Sequence, residues 1–116
     1  MPFIRLETSM SLSGDVKTRL CAELSRACAE VIGKPETYVQ AIISDGATML
    51  HAGKPGSAAF VDVRSIGGLS SKTNKALAKR LCDLIHTATQ ISGERIYLNF
   101  TDVAATHWGH DGGTFG

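Results

Sequence analysis

Little in these 116 residues is extreme, and each thing in short supply narrows the reading. No apolar run approaches the roughly 20 residues needed to cross a bilayer, and the start of the chain lacks the charged and apolar regions of a signal peptide. Cytosolic synthesis without membrane insertion is therefore expected. Charge of one sign is missing too: twelve Lys and Arg stand against eleven Asp and Glu, a formal net charge of +1. Nucleic acid or an anionic membrane surface calls for a basic footprint that this balance does not supply. Lys72, Lys75 and Lys79 line one side of a helical pattern, where a solvated face accounts for them. Cysteines number three, Cys21, Cys28 and Cys82, and the first two lie two helical turns apart, about 10 Å along the axis, too far to bridge. Gly-x-Ser-x-Gly, Gly-x-x-x-x-Gly-Lys-Ser/Thr and Gly-x-Gly-x-x-Gly are all absent. Hydrolase, nucleotide and dinucleotide readings lapse with them, and no cofactor is implied. His107, His110 and Asp111, with His51 elsewhere, have poor spacing for a metal, so structural or rim histidines are expected and no metal site.

What is present is a chain that repeats itself. Phe3-Ile4-Arg5-Leu6-Glu7-Thr8 and Phe60-Val61-Asp62-Val63-Arg64-Ser65 alternate apolar and polar positions, the period of a half-buried strand. Thr18-Arg19-Leu20-Cys21 answers Lys79-Arg80-Leu81-Cys82, each inside a helical stripe: Val16, Leu20, Leu24, Ala27 and Val31 in one, Leu77, Leu81, Leu84, Ile85 and Ala88 in the other. Ile32 with Tyr38-Val39-Gln40 matches Ile91 with Tyr97-Leu98-Asn99, again in alternating runs. Residues 1–116 thus read as one domain built from a duplicated β-α-β unit, with pseudo-repeats at about residues 2–45 and 59–101.

A β-α-β unit brings its second strand back parallel to the first. Two units make a four-stranded mixed sheet covered on one face by two helices, an α+β fold (an α/β two-layer sandwich). Ile4, Leu6, Val39, Ala41, Ile43, Val61, Val63, Ile96, Leu98 and Phe100 are assigned to the helix-covered face and form the core. The opposite face carries Phe3, Arg5, Glu7, Gln40, Ile42, Ser44, Phe60, Asp62, Arg64, Tyr97, Asn99 and Thr101. It is too polar for a second core and too aromatic for plain solvent, which, with the open sheet edges, predicts a partner subunit. Residues 46–57 and 102–116 lack periodicity and read as loops with short edge strands.

Chemistry enters at the second residue. Removal of Met1 would leave Pro2 as a secondary amine at the start of a strand. An α-amino group titrates at about 7.7 to 8.0, and burial disfavours its charged form, so such an amine in a partly apolar cleft can be a free base at neutral pH. Met-Pro is also a common beginning, so the dipeptide alone decides nothing, and with Met1 attached the Pro2 nitrogen is an amide without useful basicity.

Pro2, Gly33-Lys34-Pro35-Glu36-Thr37-Tyr38-Val39, Ser65-Ile66-Gly67-Gly68, Arg95-Ile96-Tyr97-Leu98-Asn99-Phe100 and the closing Thr114-Phe115-Gly116 occur in order and at the right spacing to resemble the macrophage migration inhibitory factor family of tautomerases. The resemblance runs the whole chain. It implies a homotrimer with active sites between neighbouring subunits, and a keto-enol tautomerase, an isomerase acting on phenylpyruvate-type arylpyruvates and dopachrome-type substrates with Pro2 as the base and no cofactor. Lys34 matches the family's carboxylate-binding lysine. Its place before Pro35 turns it out of helical geometry, although a lysine at a helix C-terminus is ordinary capping chemistry as well. By the same resemblance Ser65 and Ile66 bind substrate, Ile66 through its backbone N–H. Tyr97 and Asn99 line the pocket of a neighbouring subunit, and Phe115 adds an aromatic wall.

Departures from the family pattern fall in the tail and one loop. His110 stands where a pocket tryptophan is common and Trp108 where a smaller aliphatic is common, which implies a substrate rim of different shape and polarity. Met49-Leu50-His51-Ala52-Gly53 replaces a more usual Phe-Gly-Gly stretch. A Cys-x-x-Cys found in some members falls on Ala58-Ala59-Phe60-Val61, so thiol-disulfide activity is not expected. The resemblance also carries a second class of function: a cytokine-like ligand for a cell-surface receptor, released from the cytoplasm by a non-classical route, with weak or vestigial catalysis.

Overall fold

The computed structural model describes every residue from Met1 to Gly116. Strand β1 (Pro2–Thr8) leads to helix α1 (Gly14–Ile32) and strand β2 (Gln40–Ser44); strand β3 (Ala59–Ser65) leads to helix α2 (Ser71–Thr89) and strand β4 (Ile96–Asp102). Two short strands, β5 (Gly109–His110) and β6 (Gly113–Thr114), close the chain.

Both helices begin and end for local reasons. The Ser13 side chain accepts from the Val16 N–H at 3.2 Å and the Ser70 side chain from the Thr73 N–H at 3.1 Å, each satisfying a donor that the first turn leaves without a partner. Gly33, at φ 80°, ends α1, and the Ala29 carbonyl accepts from the N–H groups of both Gly33 and Lys34 at 3.0 Å. That pair of bonds is a glycine C-terminal cap, and it starts Lys34 and Pro35 in a new direction.

The sheet runs β2-β1-β3-β4. β1 pairs parallel with β2, β3 pairs parallel with β4, and the two halves join through antiparallel β1 and β3. This is the two-layer α+β arrangement with a mixed four-stranded sheet and two helices on one face. Ile4 and Leu6 of β1 and Val61 and Val63 of β3 are fully buried against Leu20, Leu24, Ala27 and Cys28 of α1 and Leu77, Leu81 and Ile85 of α2. Val39, Ala41, Ile43, Leu98 and Phe100 pack on this core but stay half-buried. The edge strands have a neighbour on one side only, so the helices cover them less completely than they cover the centre.

The uncovered face holds one surprise. Asp62, expected among surface polar groups, is only 4% exposed. Its carboxylate accepts from Arg64 Nη2 at 3.0 Å and Nε at 3.3 Å, and Arg5 Nη2 approaches to 3.5 Å from the paired strand. Two guanidinium groups fold over one carboxylate and shield it. In the long connection of residues 46–57 no strand forms; a single bridge pairs His51 with Lys54. The short tail strands β5 and β6 pair with each other rather than with the sheet.

Candidate active site

The N-terminal end of β1 is where three separate segments converge. Pro2 sits opposite Ser65 in the β1–β3 register, its ring buried on the core side. Proline brings no N–H to the ladder, and at the first residue of a strand none is lost. Beyond Ser65 the chain turns sharply, with Gly67 at φ 73° and Gly68 at φ 80°. The Ser65 hydroxyl donates to the Gly67 carbonyl at 2.6 Å, the Gly67 N–H donates to Asp102 Oδ1 at 3.0 Å, and the Val103 N–H donates to the Ser65 carbonyl at 2.9 Å. Ser65 is fully buried, so its hydroxyl serves the turn. The turn in turn fixes Ile66, whose N–H points at the Met1 carbonyl, 3.4 Å away.

The third segment is the end of α1. A Cβ built on Gly68 would lie 2.7 Å from Ile32 Cγ2, 3.2 Å from the Ile32 carbonyl and 3.4 Å from Lys34 Cε. Only a glycine lets the Ser65–Gly68 turn pack this closely on the helix terminus, and the contact brings the Lys34 stem alongside the Ile66 turn. Burial pushes the amine of Met1 below the ordinary value of a chain terminus, and the positive charge of Lys34 pushes it further the same way. The position next to Pro2 is thus one where an amine loses its proton readily and a lysine cation is close.

A cleft of about 370 Å³ opens at this point, lined by Met1, Thr37, Tyr38, Val39, Gln40, His110 and Phe115. His110 and Phe115 stack, ring centroids 5.6 Å apart at 21°, and the Phe115 N–H donates to the Trp108 carbonyl at 3.1 Å. Trp108 faces elsewhere, into a neighbouring cleft of about 350 Å³ with Phe3, Arg5, Gln40, Arg64, His107 and Gly109. The two tail residues that depart from the family pattern therefore border different clefts, which share Gln40 as a common wall. Thr37, Tyr38, Val39 and Gln40 carry no site role in the sequence reading, which places Val39 in the core, Gln40 on the opposite face of the sheet and Thr37 and Tyr38 only within a motif. Their signal was the turn that Lys34-Pro35 forces immediately before them.

Tyr97 and Asn99 stand apart from this cluster. Pro2 is level with Ser65, and Ser65 is level with Asp102. Tyr97 lies five residues back along β4 and two strands over, about 17 Å along the strands and about 10 Å across them. No side chain bridges that gap. Tyr97 is 66% exposed, and the Asn99 amide donates to Thr101 Oγ1 at 2.7 Å. The candidate site residues of one chain therefore fall into two groups at opposite ends of the sheet: Pro2, Lys34, Ile66, His110 and Phe115 at one, Tyr97 and Asn99 at the other.

A two-layer fold of two parallel β-α-β halves, with its chain terminus set between a lysine and a glycine-rich turn, is the fold of the tautomerase superfamily. The family model described as "Macrophage migration inhibitory factor (MIF)" matches residues 1–116, and the chain belongs to that family. The macrophage migration inhibitory factor of Meriones unguiculatus is 31% identical over 115 residues, covering 99% of each chain. Among solved structures, the homologue from Prochlorococcus marinus superposes with a TM-score of 0.94 at 35% identity, covering 98% of this chain and 99% of that one. The MIF-like protein from Entamoeba histolytica does so with a TM-score of 0.92 at 33% identity, covering 98% of both. No helix is long and apolar enough to cross a membrane.

Proposed function

We propose that the protein is a keto-enol tautomerase of phenylpyruvate-type arylpyruvates and dopachrome-type compounds, working through the amine of Pro2 once Met1 has been removed. The observation that carries this reading is the convergence at the chain terminus: an amine position depressed by burial and by Lys34, beside a backbone N–H at Ile66 that has only the Met1 carbonyl to bond. Removing Met1 frees that N–H and turns the Pro2 nitrogen from an amide into a secondary amine in one cut.

The chemistry is then simple. The substrate carboxylate pairs with the Lys34 ammonium and accepts from the Ile66 N–H, which places the keto or enol group over the Pro2 nitrogen. In ketonisation the amine takes the proton of the enol hydroxyl, the electron pair of the C=C bond takes a proton at the adjacent carbon, and the same nitrogen delivers it. The prolyl group ends as it began, so no cofactor or co-reactant is consumed. An amine whose charged form is disfavoured by burial and by Lys34 gives up its proton readily, which suits the delivery half of the transfer. His110, Phe115 and Tyr38 supply an aromatic wall for the ring of the substrate, and Trp108 shapes the adjoining cleft.

Because Tyr97 and Asn99 lie about 20 Å from Pro2 within one chain, they complete a site only on another copy. The family's homotrimer supplies that geometry, and the polar, aromatic face with the Arg5–Asp62–Arg64 cluster is the surface available for it. The deciding experiment is phenylpyruvate tautomerisation by protein whose intact mass proves loss of Met1. Activity confined to the processed protein supports the reading; processed protein without activity overturns it and leaves a receptor-binding role as the better account.

A further inference from the structure

The connection between β2 and β3 contains a feature that the catalytic reading leaves unused. Its tip is a closed two-residue turn: the His51 N–H donates to the Lys54 carbonyl and the Lys54 N–H donates back to the His51 carbonyl, both at 3.0 Å. Ala52 at φ 55° and Gly53 at φ 73° put both central residues in the left-handed region, the backbone of a primed hairpin turn. Alanine adopts that conformation only where the surroundings hold it. The holding group is Arg95: its Nε donates to the Ser57 carbonyl at 2.7 Å, and its Nη2 reaches the carbonyls of Lys54 and Pro55 at 3.2 and 3.3 Å. Arg95 immediately precedes β4, so the clamp ties the turn to the strand that carries Tyr97.

The consequence is a ring contact. The imidazole of His51 lies 4.7 Å from the Tyr97 ring, centroid to centroid, with the planes at 54°. That is the tilted geometry in which two aromatic rings attract. Tyr97 is among the two most exposed large hydrophobic side chains of the protein, the other being Leu50. Without a neighbour such a phenol would divide its time among rotamers; with His51 beside it, one orientation is favoured.

We propose that His51 is a positioning residue for Tyr97: braced by the Arg95 clamp, it holds the phenol in the orientation that walls the arylpyruvate cleft of the neighbouring protomer. This rests on the reading that Tyr97 serves that cleft. His51 touches neither the substrate nor the reacting carbon, so its effect falls on substrate binding. His51→Ala is expected to raise KM for phenylpyruvate about 2- to 10-fold at nearly constant kcat, the range that one aromatic pair supports. His51→Phe, which keeps a ring in place, is expected to restore KM.

The test is a steady-state cycle of wild type, His51→Ala, Tyr97→Ala and the double variant, each first shown by light scattering and thermal melting to have the mass and melting temperature of the wild type. Tyr97→Ala should raise KM, and adding His51→Ala to it should change nothing further. A KM increase for Tyr97→Ala with none for His51→Ala overturns the positioning role and leaves the tautomerase reading intact, as does a His51→Phe variant no better than His51→Ala. Additive effects of the two alanine substitutions also overturn it, because His51 would then act by another route. If Tyr97→Ala itself leaves KM unchanged in an active enzyme, the shared cleft and the role of His51 fall together.

Discussion

The Met1 carbonyl accepts the N–H of Ile66, so the first residue of the chain occupies the donor that the proposed substrate carboxylate would use. Met1 therefore blocks the site twice, by acylating the Pro2 nitrogen and by filling its neighbour. Pro2→Gly, processed to a primary amine, keeps the opened donor but loses the pyrrolidine that fixes the nitrogen. Its kcat on phenylpyruvate is expected to fall about 10²- to 10⁴-fold with the oligomer mass unchanged. If receptor binding occurs, it should survive this substitution.

Lys34 is placed by the glycine cap of α1 and by the turn at Gly68. Lys34→Ala is expected to raise KM for phenylpyruvate about 10-fold or more, the loss of one charge-assisted hydrogen bond, and to affect a methyl ester substrate less. The same substitution removes a cation that depresses the terminal amine. In Met1-retaining protein the amine should titrate at higher pH in Lys34→Ala than in wild type, read by NMR across the titration.

Gly68 separates the Ile66 turn from the end of α1, and a Cβ there would meet Ile32 Cγ2 at 2.7 Å in a left-handed backbone. Gly68→Ala is expected to destabilise the fold by about 1–3 kcal/mol, read as a lower melting temperature. Activity should fall more than stability accounts for, because the shift moves Ile66 and Lys34 together. Gly67→Ala has the same backbone penalty but no nearby atoms, so its loss should be smaller.

The proposed sharing of one site between two copies of the chain predicts complementation. Pro2→Gly and Tyr97→Ala variants, each impaired alone, should regain activity when unfolded together and refolded. Random mixing in a cyclic assembly gives about a quarter of sites with both native residues. Refolded mixtures no more active than the separate variants would place Pro2 and Tyr97 in the same chain's site or in none.

Cys28 is fully buried between α1 and the sheet, and burial pushes its thiol up to about 12, with Arg80 acting weakly the other way. The native protein should lose iodoacetamide-reactive thiols from Cys21 and Cys82 before Cys28, by mass spectrometry of the alkylated protein. The pH sign follows from the direction. A folded pKa above the unfolded value of 9.0 gives a contribution fully present below pH 9 and lost as pH rises towards about 12. One pH unit into that window the loss is about 1.4 kcal/mol. Cys28→Ala should flatten this part of the stability profile, measured by urea unfolding.

Much of this was legible beforehand. Alternation in Ile4-Arg5-Leu6 and Val61-Asp62-Val63 identifies the two central strands, because a half-buried strand must show its two faces in turn. Helical stripes through Leu20 and Leu24 and through Leu77, Leu81 and Ile85 identify the layer that covers them. The half-burial of Leu98 and Phe100 was not legible, since the same alternation describes a central strand and an edge strand. Nor was the burial of Asp62: its partners Arg5 and Arg64 are a strand apart in one case and two residues away in the other, and only the sheet register makes them one cluster.

The sequence by itself determined the elements, their duplication and the candidate chemistry of Pro2 and Lys34, because these depend on periodicity, capping and residue type, all local properties of the chain. Only the tertiary structure decided that Lys34, Ile66 and the chain terminus meet, that Tyr97 and Asn99 lie at the far end of the sheet, that Trp108 and His110 border different clefts, and that His51 rests on Tyr97. Those are distances between residues remote along the chain, and they come from strand order and register, which no local pattern contains.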